Sequence, residues 1–251
     1  YLYGFKTARE LPKNLISKAA SSVAFNALRI VDFESSKNVD VFIANSNEVK
    51  ERIRKFYRRD AVVIYPPVSV PTVIEAKNQE QNAKDYYVAG GRLARAKGMD
   101  VIVDAFIKNG RLLRIFGRGF AGYEEELKEK AKSQKVHIEF LGEIDDDKKF
   151  ELLAGAKAYI FASYDEDFGI APVEAMGVGT PVIAFKSGGV KETVIDGKTG
   201  VFYEPNKPND LNLALERFEA LKLNPNDCLE QAEKFSAKEF DKKIREVISS
   251  A

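Results

Sequence analysis

Two stretches of the chain combine residue types able to hold a phosphorylated, hydroxyl-rich ligand. The first, Ala89-Gly90-Gly91-Arg92-Leu93-Ala94-Arg95-Ala96-Lys97-Gly98, sits between an apolar run and a helix-compatible one. Glycines let the backbone approach an anion closely, and Arg92 and Lys97 can reach the same oxygens, Arg as a planar fork and Lys as a point charge. A turn with solvated cations is the plain alternative. The second stretch runs from Glu166 through Phe168, Gly169, Ile170, Ala171 and Pro172 to Glu174. Glu166 is expected in a loop after a strand and Glu174 in the first turn of a helix opened by Pro172, so the two carboxylates cannot stack on one helical face. Between them, Phe168 to Ala171 offer amide N–H groups at a helix N-terminus, where the macrodipole favours a diphosphate. Carboxylates accept hydrogen bonds from hydroxyls and repel phosphates. A nucleotide sugar, with hydroxyls at both ends and phosphates in the middle, suits that layout. A solvated acidic loop over Asp165-Glu166-Asp167 is the plain reading against it.

Other short patterns carry less. Gly117-Arg118-Gly119 reads as a strand-end turn, and neither glycine cluster has the Gly-x-Gly-x-x-Gly spacing of a dinucleotide site. Asp167-Phe168-Gly169 spells a kinase tripeptide without the rest of a kinase pattern. His137, between Val136 and Ile138, reads as a strand or strand-edge residue. A single histidine and a single cysteine, Cys228, leave no histidine-rich or multi-cysteine metal centre and no internal disulfide. With 39 basic against 38 acidic residues, global charge does not call for nucleic acid.

The elements that must position these residues alternate. Residues 10 to 36 carry helix-compatible runs. Val39 to Ala44 reads as a strand, Asn47 to Tyr57 as a helix with Ser46 at its N-cap, and Ala61 to Tyr65 as a strand stopped by Pro66-Pro67. Residues 71–84 turn polar without apolar period and read as a linker. Beyond it come strands at Tyr86 to Ala89, Leu112 to Phe116, Val136 to Leu141, Ala158 to Ala162, Thr180 to Phe185 and Gly200 to Tyr203. Helices are expected from Met99 and over Glu124 to Lys132, Asp147 to Ala154, Pro172 to Met176 and Val190 to Val194. That rhythm predicts an α/β fold, a parallel sheet wrapped by helices on both faces, with ligands at the carboxyl ends of its strands. No apolar stretch approaches the roughly 18 residues needed to span a bilayer, and the start lacks the form of a signal peptide, so a soluble cytoplasmic chain is expected. The basic run Lys50 to Arg59 could touch an anionic membrane at its inner face, or be a solvated helix face.

Taken together and in order, several patterns closely resemble the large retaining glycosyltransferase family, group 1 of the GT-B type. That family includes bacterial mannosyltransferases, sucrose synthase and glycogen synthase. The patterns are Ala44-Asn45-Ser46, Tyr65-Pro66-Pro67-Val68, Gly91-Arg92-Leu93 with Lys97-Gly98, Phe140-Leu141-Gly142, the Glu166 and Glu174 pair, Gly179-Thr180-Pro181, and Ser187-Gly188-Gly189 with Glu192. The resemblance implies two Rossmann-like domains facing across a cleft. Residues 1–70 would be the last part of an N-terminal acceptor domain, 71–84 the linker, 85–232 the nucleotide-sugar-binding domain, and 233–251 a closing helix that packs back on the first domain. The remainder of that first domain is expected to lie outside this chain, and the closing helix to be the family's C-terminal end.

By the same resemblance Arg92 and Lys97, with Gly91, hold the diphosphate, Glu166 touches sugar hydroxyls and Glu174 binds the ribose. The loop Glu143 to Asp146, Ile144 included, would lie against the base. The implied donor is a UDP- or GDP-sugar carrying glucose or mannose, and the acceptor a glycan or a lipid-linked molecule. No cofactor, metal or protein nucleophile is implied, because preorganised cations and helix amides can stabilise the charge that grows on the leaving diphosphate. Three other readings stay open: a glycoside hydrolase using Glu166 and Glu174, a non-catalytic sugar-nucleotide-binding subunit, and a dinucleotide-dependent epimerase or dehydrogenase.

Overall fold

The computed structural model describes residues 15–70, 85–132, 137–204 and 210–250. The polar stretch expected to be a linker, 71–84, lies outside the described residues. Helix α1 (Leu15–Ser36) leads into a small parallel unit of β1 (Ile43–Ala44), α2 (Asn47–Tyr57) and β2 (Val62–Val63), in which Ile43 pairs with Val62 and Ala44 with Val63. Both strands are shorter than the apolar runs that encode them. α2 has the expected bounds because its start is chemically marked: the buried Ser46 is extended and its side chain accepts from Val49 N–H at 3.1 Å.

The main body follows as β3 (Tyr86–Gly90), a single 3-10 turn (Arg95–Lys97), α3 (Met99–Asn109), β4 (Leu112–Phe116), α4 (Tyr123–Lys132), β5 (Ile138–Gly142), α5 (Asp146–Ala154) and β6 (Tyr159–Phe161). It continues with α6 (Ile170–Gly177), β7 (Val182–Phe185), α7 (Val190–Thr193), β8 (Gly200–Tyr203), α8 (Asp210–Ala220), α9 (Pro225–Glu233) and α10 (Ala237–Ser250). The six strands form one wholly parallel sheet in the order β5-β4-β3-β6-β7-β8. His137 sits just ahead of β5, its carbonyl accepting from Leu113 N–H at 2.9 Å.

Helices cover both faces, so the central strands β3, β6 and β7 are apolar and buried on both sides, whereas the edge strand β5 still alternates and exposes Glu139. Val88, Tyr159, Phe161, Val182 and Ala184 pack with residues of α5, α6 and α9 on one face. Tyr87, Ala89, Leu113, Ile115, Ile160, Ile183 and Val201 pack with α3, α4 and α8 on the other. Each fully buried Val, Leu, Ile or Phe among them contributes about 1.5–3 kcal/mol from removal of apolar surface from water. The α8 and α9 helices are additional to the elements expected from sequence.

α6 begins at Ile170, two residues ahead of Pro172, so Glu174 stands on its second turn and not its first. Proline is tolerated at the third helical position because no intrahelical acceptor awaits an N–H there.

Chain ends of the sheet are packed closely where β7 turns into α7. Gly188 has φ +71°, and a Cβ there would lie 2.2 Å from the carbonyl oxygen of Glu166. Gly110, after α3, has φ +69° with nothing within 4 Å of the same position. Gly110→Ala should therefore cost about 1–2 kcal/mol, the left-handed conformation alone, and Gly188→Ala should cost clearly more in urea unfolding. Equal losses would mean that the contact between Gly188 and the Glu166 backbone does not constrain the fold.

Candidate functional site at the sheet reversal

Crossovers leaving β3 run towards β4 and β5, whereas those of the second half run from β6 towards β7 and β8, so the order reverses between β3 and β6. Loops after two neighbouring strands diverge at such a point and leave a crevice outside the carboxyl ends. Every residue that the resemblance assigns to the nucleotide sugar follows β3, β5 or β6 at that end of the sheet.

Residues 91–98 cross the gap from β3. A Cβ on Gly98 would lie 2.5 Å from the carbonyl oxygen of Ala162, just past β6, which shows how closely the two loops approach. That closeness puts Lys97 within an ion pair of Glu166, whose carboxylate also accepts from Ser163 Oγ at 2.6 Å. The pair is partly buried, with the Lys97 side chain 29 % and that of Glu166 19 % exposed. The two residues that the sequence suggests for different parts of a ligand are thus in contact. Arg92 is exposed, and its guanidinium makes no ion pair or hydrogen bond among the described residues.

Glu174 faces the same region from α6 and accepts from Lys149 Nζ at 3.0 Å. Lys149, on α5, also pairs with Asp146 at 2.8 Å. The hydroxyl of Tyr159, on β6, donates to the carbonyl of Gly90 at 2.9 Å. Burial raises the pKa of that phenol well above its ordinary value, and the negative charges of Glu174 and Glu166 add to the effect. Both carboxylates therefore lie within electrostatic range of a phenol that is tied to the end of β3.

Phe168 is buried, its ring 5.7 Å from Tyr65 and 5.3 Å from Phe235 between centroids. Gly169, at φ +94°, is the N-cap of α6. The amides of Gly169, Ile170 and Ala171 at the start of α6, and that of Phe168 just before it, find no acceptor among the described residues, the state a helix N-terminus leaves its first amides in.

An open crevice of about 600 Å³ lies beside this cluster, lined by Gly91, Arg92, Phe116, Arg118, Phe120 and Ile144, among others. It contains the turn 117–119, which is fastened under the first loop by Leu93 N–H donating to Arg118 O at 2.9 Å. From sequence that turn is expected only as a strand end. It is one, and it also walls the crevice. Its signal in the sequence is a cation between two glycines directly after an apolar run, a pattern too common to single out alone. Glu143 and Ile144 do line the crevice. Asp146 does not: it is the first residue of α5, 84 % exposed at its side chain, where the helix dipole and Lys149 three residues on hold its carboxylate. Lys149 and Ser163 were not expected at the site; a lysine on a helix and a serine at a strand end have no sequence signature of their own.

A family model described as glycosyl transferases group 1 matches residues 72–235, well over half of the chain. An uncharacterized glycosyltransferase of Methanocaldococcus jannaschii is 30 % identical over 212 residues, covering 84 % of this chain and 57 % of that protein. The alpha-1,3/1,6-mannosyltransferase of Dictyostelium discoideum is 30 % identical over 191 residues, covering 66 % of this chain and 46 % of its own. Among solved structures, HepE of Anabaena in complex with UDP and glucose superposes with a TM-score of 0.74 at 23 % identity, over 89 % of this chain and 67 % of that one. The chain thus spans about half the length of the curated relatives it matches. On the length of the match and its agreement with a parallel sheet open at its reversal point, this chain belongs to the group 1 glycosyltransferases.

Proposed function

We propose that this chain binds a nucleoside diphosphate sugar in the crevice between β3 and β6. In the protein it belongs to, it serves transfer of a hexose, mannose or glucose, to a glycan or lipid acceptor with retention of configuration and without a metal. The observation that carries this reading is the convergence at the sheet reversal of Arg92, Lys97 and the unpartnered amides of α6, with carboxylates to either side. The mannosyltransferase relative and the UDP and glucose in the Anabaena structure support the choice of hexose and donor class.

The diphosphate is placed between Arg92, Lys97 and the amides of Phe168 to Ala171. A charge-assisted hydrogen bond contributes about 1.5–3 kcal/mol, against about 0.3–1 kcal/mol for the dipole of an exposed helix end, so Arg92 should outweigh the dipole. Both become more valuable as the bond from the anomeric carbon breaks, because the leaving diphosphate then gains negative charge. Glu166 is assigned to sugar hydroxyls and Glu174 to the ribose. The base lies along Ile144 and the turn 117–119. Peripheral membrane contact through the exposed Arg54, Lys55 and Arg58 of the α2 region is part of the same proposal; Arg52 is excluded from it, since it turns inward to Asp167 at 2.7 Å. Among the described residues no helix is long and apolar enough to cross a membrane.

Calorimetric titration with UDP, GDP and their glucose and mannose conjugates, chelator present, tests the reading. One nucleotide should bind, and Arg92→Ala and Glu174→Ala should each weaken it about tenfold or more. Unchanged affinity in both variants would remove the crevice as the site. Glu166→Gln separates the two ends of the ligand. It deletes the sugar contact and releases Lys97, so the sugar conjugates should lose affinity while the bare diphosphates keep or improve theirs. Equal losses for both would show that Glu166 does not face the sugar.

A further inference from the structure

Three sequence patterns have no place in the site so far: Asn45-Ser46, Tyr65-Pro66, and Ser187-Gly188-Gly189 with Glu192. The fold brings all three together beneath the loop that carries Glu166. The Glu192 carboxylate accepts from Asn47 N–H at 2.9 Å, Glu48 N–H at 3.1 Å, Asn47 Nδ2 at 2.7 Å and Tyr65 hydroxyl at 3.1 Å. It thereby satisfies the first two orphan amides of α2 from a residue some 145 positions away, at the helix end that favours an anion. Ser46 satisfies the third, that of Val49.

With α2 pinned in this way, the Ser46 hydroxyl donates to the carbonyl oxygen of Asp167, and Arg52 Nη1 reaches the Asp167 carboxylate at 2.7 Å. The preceding carbonyl, that of Glu166, accepts from Gly189 N–H at 2.7 Å. Two successive carbonyls of the loop are therefore held by groups outside it. In a planar trans peptide the carbonyl and the next amide point in opposite directions. Holding the Asp167 oxygen against α2 therefore turns the Phe168 N–H away from α2, and that amide has no acceptor among the described residues. The Phe168 ring, wedged between Tyr65 and Phe235, prevents the peptide from rotating as a free loop would.

We propose that Ser46 is a positioning residue for the donor site, kept in place by Glu192. Its hydroxyl fixes the 167–168 peptide so that the Phe168 amide joins those of α6 in facing the diphosphate. This rests on the donor reading above, but the brace itself has a readout that needs no ligand.

Hydrogen–deuterium exchange of the ligand-free 251-residue chain, followed over residues 163–171 and separately over α2, compares Ser46→Ala, Ser46→Thr and Glu192→Gln with the unmodified protein. Ser46→Ala should speed exchange over 163–171 and weaken binding of UDP or GDP about tenfold, the loss of one well-made hydrogen bond. Ser46→Thr, which keeps the hydroxyl, should restore both. A Ser46→Ala effect confined to α2, with residues 163–171 and nucleotide affinity unchanged, would reduce Ser46 to a helix cap and overturn the proposal. Should Ser46→Ala fail to fold, Glu192→Gln carries the same two readouts, because it leaves Ser46 intact and only loosens the clamp. If the unmodified chain binds neither nucleotide while the 163–171 loop still responds to Ser46→Ala, the donor reading falls and the brace stands.

Discussion

A wholly parallel sheet sends every crossover from the carboxyl end of one strand back to the amino end of the next. Where the order reverses, two neighbouring strand ends send their chains to opposite faces, and no helix covers the gap between them. In this chain that gap lies between β3 and β6, and everything proposed about function depends on it. The glycine-rich stretch after β3 fills it from one side and the loop with Glu166 from the other. Their meeting is marked by the pairing of Lys97 with Glu166. The first loop is tied to the turn after β4 by Leu93 N–H donating to Arg118 O and curls into the 3-10 turn Arg95–Lys97, while the second is tied by Gly189 N–H donating to Glu166 O. They are held by the strands that launch them and by contacts from outside the sheet.

The charge arrangement follows from the same geometry. Both central carboxylates are matched by lysines from other elements, Glu166 by Lys97 and Glu174 by Lys149, and both pairs are largely withdrawn from water. Removing one partner from such a pair costs more than the pair itself contributes, since the remaining charge stays desolvated. Arg92 differs in being exposed and without an ion pair among the described residues. A ligand diphosphate can therefore gain Arg92 at little cost, whereas engaging Lys97 means sharing it with Glu166. That sharing couples the phosphate end of the ligand to whatever Glu166 touches.

Much of this was legible in the sequence, and the exceptions have physical reasons. α2 reads correctly because a serine N-cap and an apolar stripe mark it locally, and β4 and β8 because short apolar runs end in turn residues. α8 and α9 carry comparable signals, Leu211, Ala214, Leu215 and Phe218 at helical spacing and Asn224-Pro225 at a helix start, but they stand outside the strand–helix alternation that marks the sheet. The start of α6 was displaced because Pro172 looks like a first residue while Gly169 does the capping. What no local pattern could supply is pairing between distant segments. Lys97 with Glu166, Lys149 with Glu174 and Glu192 with the start of α2 are each set by the sheet order, so a motif can announce a residue without announcing its partner. Asp146 shows the converse: two positions from the crevice-lining Ile144 in sequence, it is taken up as the first residue of α5, where its side chain is exposed and pairs with Lys149.

The most direct measurement is a crystal structure of the chain with the nucleoside diphosphate that binds it. Phosphate oxygens are expected within hydrogen-bonding distance of Arg92, Lys97 and the amides of Phe168 to Ala171, with the ribose at Glu174. A nucleotide bound elsewhere, or one whose phosphates leave the α6 amides unpartnered, would contradict it.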